Sequence, residues 1–231
     1  MSSETVNLDV FHWKNRKKTE DRMEHLPIEK LLWERGYQRI ACCDEVGRGC
    51  LFGDVVAAAV VLPPYLHIEG VKDSKKISEK KREKLYDLIM DQALAVGIGT
   101  VTAAEIDMIN IKQAARKAMV SAVNQLKTKN GIKFQPDYLL IDAETLDLQY
   151  PQQALIKGED QSHGIAAASI IAKVYRDRLC QQWHDEHPDY GLDRHKGYGT
   201  RQHRDALLRF GATSRHRQSF LKKILKEQQG K

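Results

Sequence analysis

The chain has 231 residues, 42% of them hydrophobic and 29% charged. That balance suits one well-filled globular core and excludes a disordered or fibrous chain. A formal charge of +6 and a pI near 9.0 favour a polyanionic partner. Cys42, Cys43, Cys50 and Cys180 form no CxxC pair and no zinc spacing with histidine. The N-terminal stretch lacks the apolar core of a signal peptide, and no apolar run approaches the roughly 20 residues needed to cross a bilayer. A reduced, cytoplasmic protein without membrane association is expected.

Residues 1–27 form a polar arm of mixed charge, and residues 28–231 read as a single domain. In "LPIEKLLWERGY", Ile28, Leu31, Leu32 and Trp33 recur at helical spacing up to Gly36. "QRIACCDEV" and "GDVVAAAVVLPP" read as two buried strands, with glycines between them that suit a tight hairpin. "SEKKREKLYDLIMDQA" opens on Ser78 as N-cap and carries Leu85, Leu88 and Ile89 on one face; "AVGIGTVTA" is a third strand. "AAEIDMINIKQAARKAMVSAVNQL" predicts one long amphipathic helix, and "FQPDYLLIDAE" a fourth strand. An Ala-rich helix follows in "SHGIAAASIIAKVYRDRLCQQWHDEH", then a polar segment and a basic C-terminal helix in "SFLKKILKEQQGK". The order β-β-α-β-α-β indicates an α/β sheet with helices packed on it.

Carboxylates at strand ends carry the chemistry. Asp44 and Glu45 close the first strand and Asp142 the fourth, while Glu159 and Asp160 precede the Ala-rich helix. A strand interior cannot hydrate an acid, so each needs a cation, hydrogen bonds or solvent. Acids converging from distant segments without a Cys or His cluster suggest oxygen-ligated Mg²⁺ or Mn²⁺, and two such ions about 3.5–4 Å apart can hydrolyse a phosphodiester. Simple strand capping is the other reading of the same residues. Gly47, Arg48 and Gly49 let a sugar-phosphate chain approach the backbone, or merely turn a hairpin.

Nine blocks in order, from "DEVGRG" and "VVAAAVVLP" through "KDSKKISEKKREKLY", "EIDMINI", "LLIDAETL", "IKGED", "IAAASIIAKVYRDR" and "YGLDRHKGYGT" to "SRHRQSF", resemble type 2 ribonuclease H, the bacterial ribonuclease HII family. The resemblance covers nearly all of residues 28–221. It implies a ribonuclease H-like mixed sheet flanked by helices, with a helical C-terminal portion. It also implies an endonuclease that cuts the RNA strand of RNA/DNA hybrids and cuts duplex DNA 5′ of a single embedded ribonucleotide, leaving 3′-hydroxyl and 5′-phosphate ends. Asp44, Glu45, Asp142 and Glu159 would be the catalytic acids holding two Mg²⁺ or Mn²⁺ ions; Asp160 is the runner-up, because the family usually has KGD where this chain has KGE. Gly47, Arg48 and Gly49 would read the 2′-hydroxyl, Tyr198 would pack on the sugar, and Lys75 would touch a phosphate. Val46, Cys50 and Asp54 depart from the family's alanine and prolines.

His195, His203 and His216 lack metal-site spacing and read as structural or phosphate-contacting. Gln218, Leu221 and Ile224 faintly resemble a sliding-clamp peptide, although a packed terminal helix fits the segment better. A monomer is the default. Two other readings share these residues: a hybrid-only nuclease, and a non-catalytic hybrid-binding protein.

Overall fold

The structure, a computed structural model, describes residues 27–72 and 74–229; the N-terminal arm lies outside the described residues apart from Pro27. Five strands form one mixed sheet in the order β3-β2-β1-β4-β5: β1 (Ile40–Val46), β2 (Val55–Val61), β3 (Ala95–Val101), β4 (Tyr138–Asp142) and β5 (Gln152–Leu155). The β1, β2 and β3 strands pair antiparallel, whereas β4 runs parallel to both β1 and β5. The helices are α1 (Pro27–Glu34), α2 (Glu79–Gln92), α3 (Ala103–Ile109), α4 (Ile111–Asn124), α5 (His163–Glu186), α6 (Leu192–His195), α7 (Arg201–Phe210) and α8 (Gln218–Gln229).

Alternation along the strands decides what packs on each face. Val55, Ala57, Ala59 and Val61 of β2 join the core with α4, while Ala58 and Val60 join the core with α2 and α5. Ala166, Ala167 and Ala168 let α5 lie close to the sheet. All seven β2 residues are buried, which accounts for the unbroken apolar run in that strand.

Three expectations change. The long helix divides at Asn110, whose φ of +66° breaks the path and whose Oδ1 accepts from the Lys112 and Gln113 amides to start α4. Strand β5, "QQAL", adds an edge that its polar residues conceal. Ser78 stands at the N-cap of α2 as expected, in extended conformation and without a side-chain cap bond. The β1–β2 connection is not a tight hairpin: register ends at Val46↔Val56. Its Leu51 and Phe52 are buried in a C-terminal cluster with Trp183, Tyr190, Leu207 and Leu221. Burying a side chain such as Phe52 is worth about 1.5–3 kcal/mol, so the loop is anchored by the helical C-terminal portion.

Candidate active site

The parallel pairing of β1 with β4 ends at Cys43↔Ile141. Just beyond it lie the carboxyl ends of both strands, the end of the sheet where α/β folds place their ligands. Asp44, Glu45 and Asp142 stand there, with one oxygen from each lying within 4.8 Å of the others. Asp44 accepts from Ser169 of α5, and alternation sends Glu45 toward the opposite face. At the strand ends both carboxylates nevertheless reach the same spot as Asp142.

Backbone and side-chain donors hold the trio. Asp44 Oδ1 accepts from the Glu45 amide at 2.8 Å, and Asp142 Oδ1 accepts from the Gly158 amide at 2.7 Å. Arg48 Nη1 lies 3.1 Å from Glu45 Oε1. Burial, reinforced by the Glu45 and Asp142 charges, pushes the Asp44 carboxyl well above the usual carboxylate range. Burial likewise raises Glu45, with Arg48 opposing, and Glu45 Oε2 is buried without a partner. Three carboxylates crowded at one spot, one with an orphaned buried oxygen, form a donor set that fits a hard divalent cation.

Glu159 lies outside the 4.8 Å group but borders it, on the one-turn helix Gly158–Asp160 whose first amide holds Asp142. A Cβ on Gly158 would stand 2.7 Å from Ile165 Cδ1 and 3.1 Å from Asp142 Oδ1, so a side chain there would press on both. Glu159 is mostly shielded and 3.9 Å from Lys75 Nζ, whereas Asp160 is exposed. Lys75 follows Ser74, whose Oγ lies 2.9 Å from Ser169 Oγ. Arg82 holds this turn by donating to the Ser74 and Ile77 carbonyls, with Asp177 at 3.4 Å behind it.

Gly47 has φ +92°, and a Cβ there would lie 2.2 Å from Arg176 Nε. Tyr198 is 42% exposed and joins the loop through an antiparallel bridge to Cys50. Its ring approaches Gly49, whose Cβ position would lie 3.8 Å from Tyr198 Cε1. Among the departures from the family pattern, Cys50 is fully buried and Val46 packs on the α2–α5 side of the core. Asp54 is half-buried; burial raises its carboxyl, and Arg215, Arg176 and Arg217 pull it back.

The histidines form a neutral relay. The Thr213 amide donates to His216 Nδ1, which puts the His216 proton on Nε2, 3.2 Å from His203 Nε2. His203 Nδ1 then donates to the Tyr198 carbonyl at 3.0 Å. Burial lowers His203 to about 4 and His216 to about 3. His195 stacks on His203 with centroids 4.6 Å apart. Gln218 opens α8, and Leu221 is only 1% exposed, committed to the C-terminal cluster that Ile224 also joins. Sequence reasoning missed Ser74, Ser169, Arg82 and Arg176; Ser169 in the Ala-rich run was the one visible signal, a polar residue on a face otherwise apolar.

A sequence model of the ribonuclease HII family matches residues 41–223. Ribonuclease HII of Alkaliphilus oremlandii is 59% identical over 203 residues, covering 88% of this chain and all of that protein. Ribonuclease HII of Bacillus subtilis is 50% identical over 192 residues, covering 83% of this chain and 73% of that one. The crystal structure of ribonuclease H2 from Pyrococcus horikoshii superposes with a TM-score of 0.68 at 25% identity, over 84% of this chain and all of the other.

Proposed function

The chain belongs to the ribonuclease HII family of endonucleases, and on that premise we propose that it hydrolyses the RNA strand of RNA/DNA hybrids and also cuts duplex DNA 5′ of a single embedded ribonucleotide, leaving 3′-hydroxyl and 5′-phosphate ends. The observation that carries the chemistry is the Asp44–Glu45–Asp142 cluster at the carboxyl ends of β1 and β4, in which burial raises the Asp44 and Glu45 carboxyls. Asp44, Glu45 and Asp142 would hold the cofactor together with Glu159 of the adjoining turn; Asp160 is the alternative fourth acid. Mg²⁺ or Mn²⁺ held there, two ions in the working complex, would supply Lewis acidity for activating water and for the departing oxygen.

The remaining residues bind and orient. Ser169 and the Glu45 amide fix the Asp44 carboxylate, and the Gly158 amide fixes Asp142, so the ligands are preorganised before substrate arrives. Lys75, 80% exposed at the rim beside Glu159, contacts a backbone phosphate. The Gly47–Gly49 backbone reads the 2′-hydroxyl, the one group that tells RNA from DNA at a single position, and Tyr198 packs on the sugar.

The test is a pair of substrates, a duplex with one embedded ribonucleotide and an all-RNA/DNA hybrid, each incubated with Mg²⁺, Mn²⁺ or a chelator. Cleavage of both with either metal and of neither with chelator is expected. Cleavage of the hybrid alone would reduce the proposal to a hybrid-only nuclease, and metal-independent cleavage would overturn the mechanism.

A further inference from the structure

Two buried arginines from distant segments support the loop between β1 and β2. Arg176 of α5 donates from Nε to the Asp54 carbonyl at 3.0 Å, from Nη2 to the Phe52 carbonyl at 3.0 Å and from Nη1 to the Lys196 carbonyl at 2.8 Å. Arg217 donates from Nε to the Gly53 carbonyl at 2.9 Å and from Nη1 to the Arg48 carbonyl at 3.0 Å. Both side chains are 0% exposed, and among the described residues neither forms an ion pair. Burying an unpaired guanidinium costs several kcal/mol, and an apolar side chain of similar volume would fill the space more cheaply. What a guanidinium does that leucine or methionine cannot is set the direction of carbonyl groups, through donors fixed in one plane.

That direction matters at one peptide. In a trans peptide the C=O and the following N–H point opposite ways. The Arg48 carbonyl is turned inward onto Arg217, so the Gly49 N–H of the same peptide points away from that guanidinium, at an exposed residue whose Cβ position lies 3.8 Å from Tyr198 Cε1. Arg217 is itself held in register by three bonds. Its amide donates to the Leu51 carbonyl at 2.9 Å, and the next two amides, of Gln218 and Ser219, donate to the Asp107 carboxylate at 2.7 and 2.9 Å. The carbonyl that Arg217 grips belongs to the residue whose side chain pairs with Glu45, so loop and acid cluster share one anchor.

We propose that Arg217 is a positioning residue for ribonucleotide recognition: it locks the Arg48–Gly49 peptide so that the Gly49 N–H faces the ribose 2′-hydroxyl. Arg176 steadies the far half of the same loop. This inference rests on the reading of the Gly47–Gly49 loop given above, and the experiment keeps the two separate.

The experiment compares binding of two Mg²⁺-containing complexes of the cleavage-deficient Asp44→Asn protein, one with an all-DNA duplex and one with the same duplex carrying a single ribonucleotide. The ratio of the two dissociation constants is the readout. Arg217→Gln should lower that ratio about tenfold, the effect of misdirecting one donor, and Arg217→Lys, which can reach only one of the two carbonyls, should lower it less. All-DNA affinity and its salt dependence should stay as in the parent. A merely structural role would reduce the folded fraction, and with it the binding capacity for both duplexes, and leave the ratio intact; an unchanged ratio overturns the inference. If the Asp44→Asn parent itself shows no ribonucleotide preference, the reading of the loop fails and the inference with it. A second measurement needs no Arg217 variant: in the parent, the Gly49 amide resonance should shift on adding the ribonucleotide duplex and not on adding the all-DNA duplex. Equal response to both also overturns the inference.

Discussion

The acid cluster and the Gly47–Gly49 loop stand side by side at one end of the sheet, yet they are built by different means. Asp44, Glu45 and Asp142 ride on strands, and their spacing follows from a hydrogen-bond ladder that many residues share. The loop has no ladder. It is held by two guanidinium groups, short bridges to Tyr198 and His216, and the burial of Leu51 and Phe52. A site on strands has many supports and a chemical weak point; a loop held by side chains has few supports and a mechanical one.

Substitutions should separate the two. The largest effect is expected from Asp44→Asn, which keeps shape and hydrogen bonding but removes a ligand charge. Cleavage should fall on the order of 10³-fold or more in a steady-state assay, with hybrid affinity largely retained. Retained turnover would remove Asp44 from the mechanism.

Next comes Gly47→Ala, which must hold a side chain at φ +92° and 2.2 Å from Arg176 Nε. A loss of about 2 kcal/mol or more in denaturant unfolding is expected, against little change for Gly49→Ala, where a Cβ meets only the Tyr198 ring at ordinary contact. Equal stability of the two variants would contradict the clamped-loop geometry.

Tyr198→Ala is smaller and more selective. Cleavage at a single ribonucleotide should suffer several-fold more than cleavage of long hybrids, where many sites offer a productive register. Equal losses would argue against sugar packing.

The gentlest probe is pH. His203 and His216 are held neutral in the fold, at about 4 and about 3, while the unfolded chain protonates them near 6.5. Their depressed values leave stability at its full level above about pH 6.5 and erode it as pH falls through about 4, by up to about 1.4 kcal/mol per pH unit per histidine. Urea unfolding between pH 7 and 4 should show this slope, and His203→Asn should flatten it; an unchanged slope would mean that the relay is not neutral.

The strand-borne half of the molecule was the legible half. A carboxylate closing an apolar run is conspicuous, and so Asp44, Glu45 and Asp142 stand out in the bare string of residues. Glu159 was legible as an acid near a helix start, but its place just outside the trio depends on a one-turn helix that spacing does not reveal. Strand β5 escaped because Gln152 and Gln153 carry no β-branched signal, and the α3–α4 break escaped because Asn110 changes the backbone without interrupting the apolar period. Arg176 and Arg217 were the least legible. An arginine in a polar or helical stretch reads as solvated, and one whose partners are backbone carbonyls leaves no complementary residue in the sequence to betray it.

The contact between Arg217 and the Arg48 carbonyl spans 169 residues of chain. During synthesis from the N-terminus, the strands that carry Asp44, Glu45 and Asp142 are complete long before Arg217 emerges. The growing chain therefore gathers its acids first and acquires the brace of the Gly47–Gly49 loop later. A polypeptide cut off ahead of residue 217 would carry all three acids without the side chain that turns the Arg48 carbonyl inward.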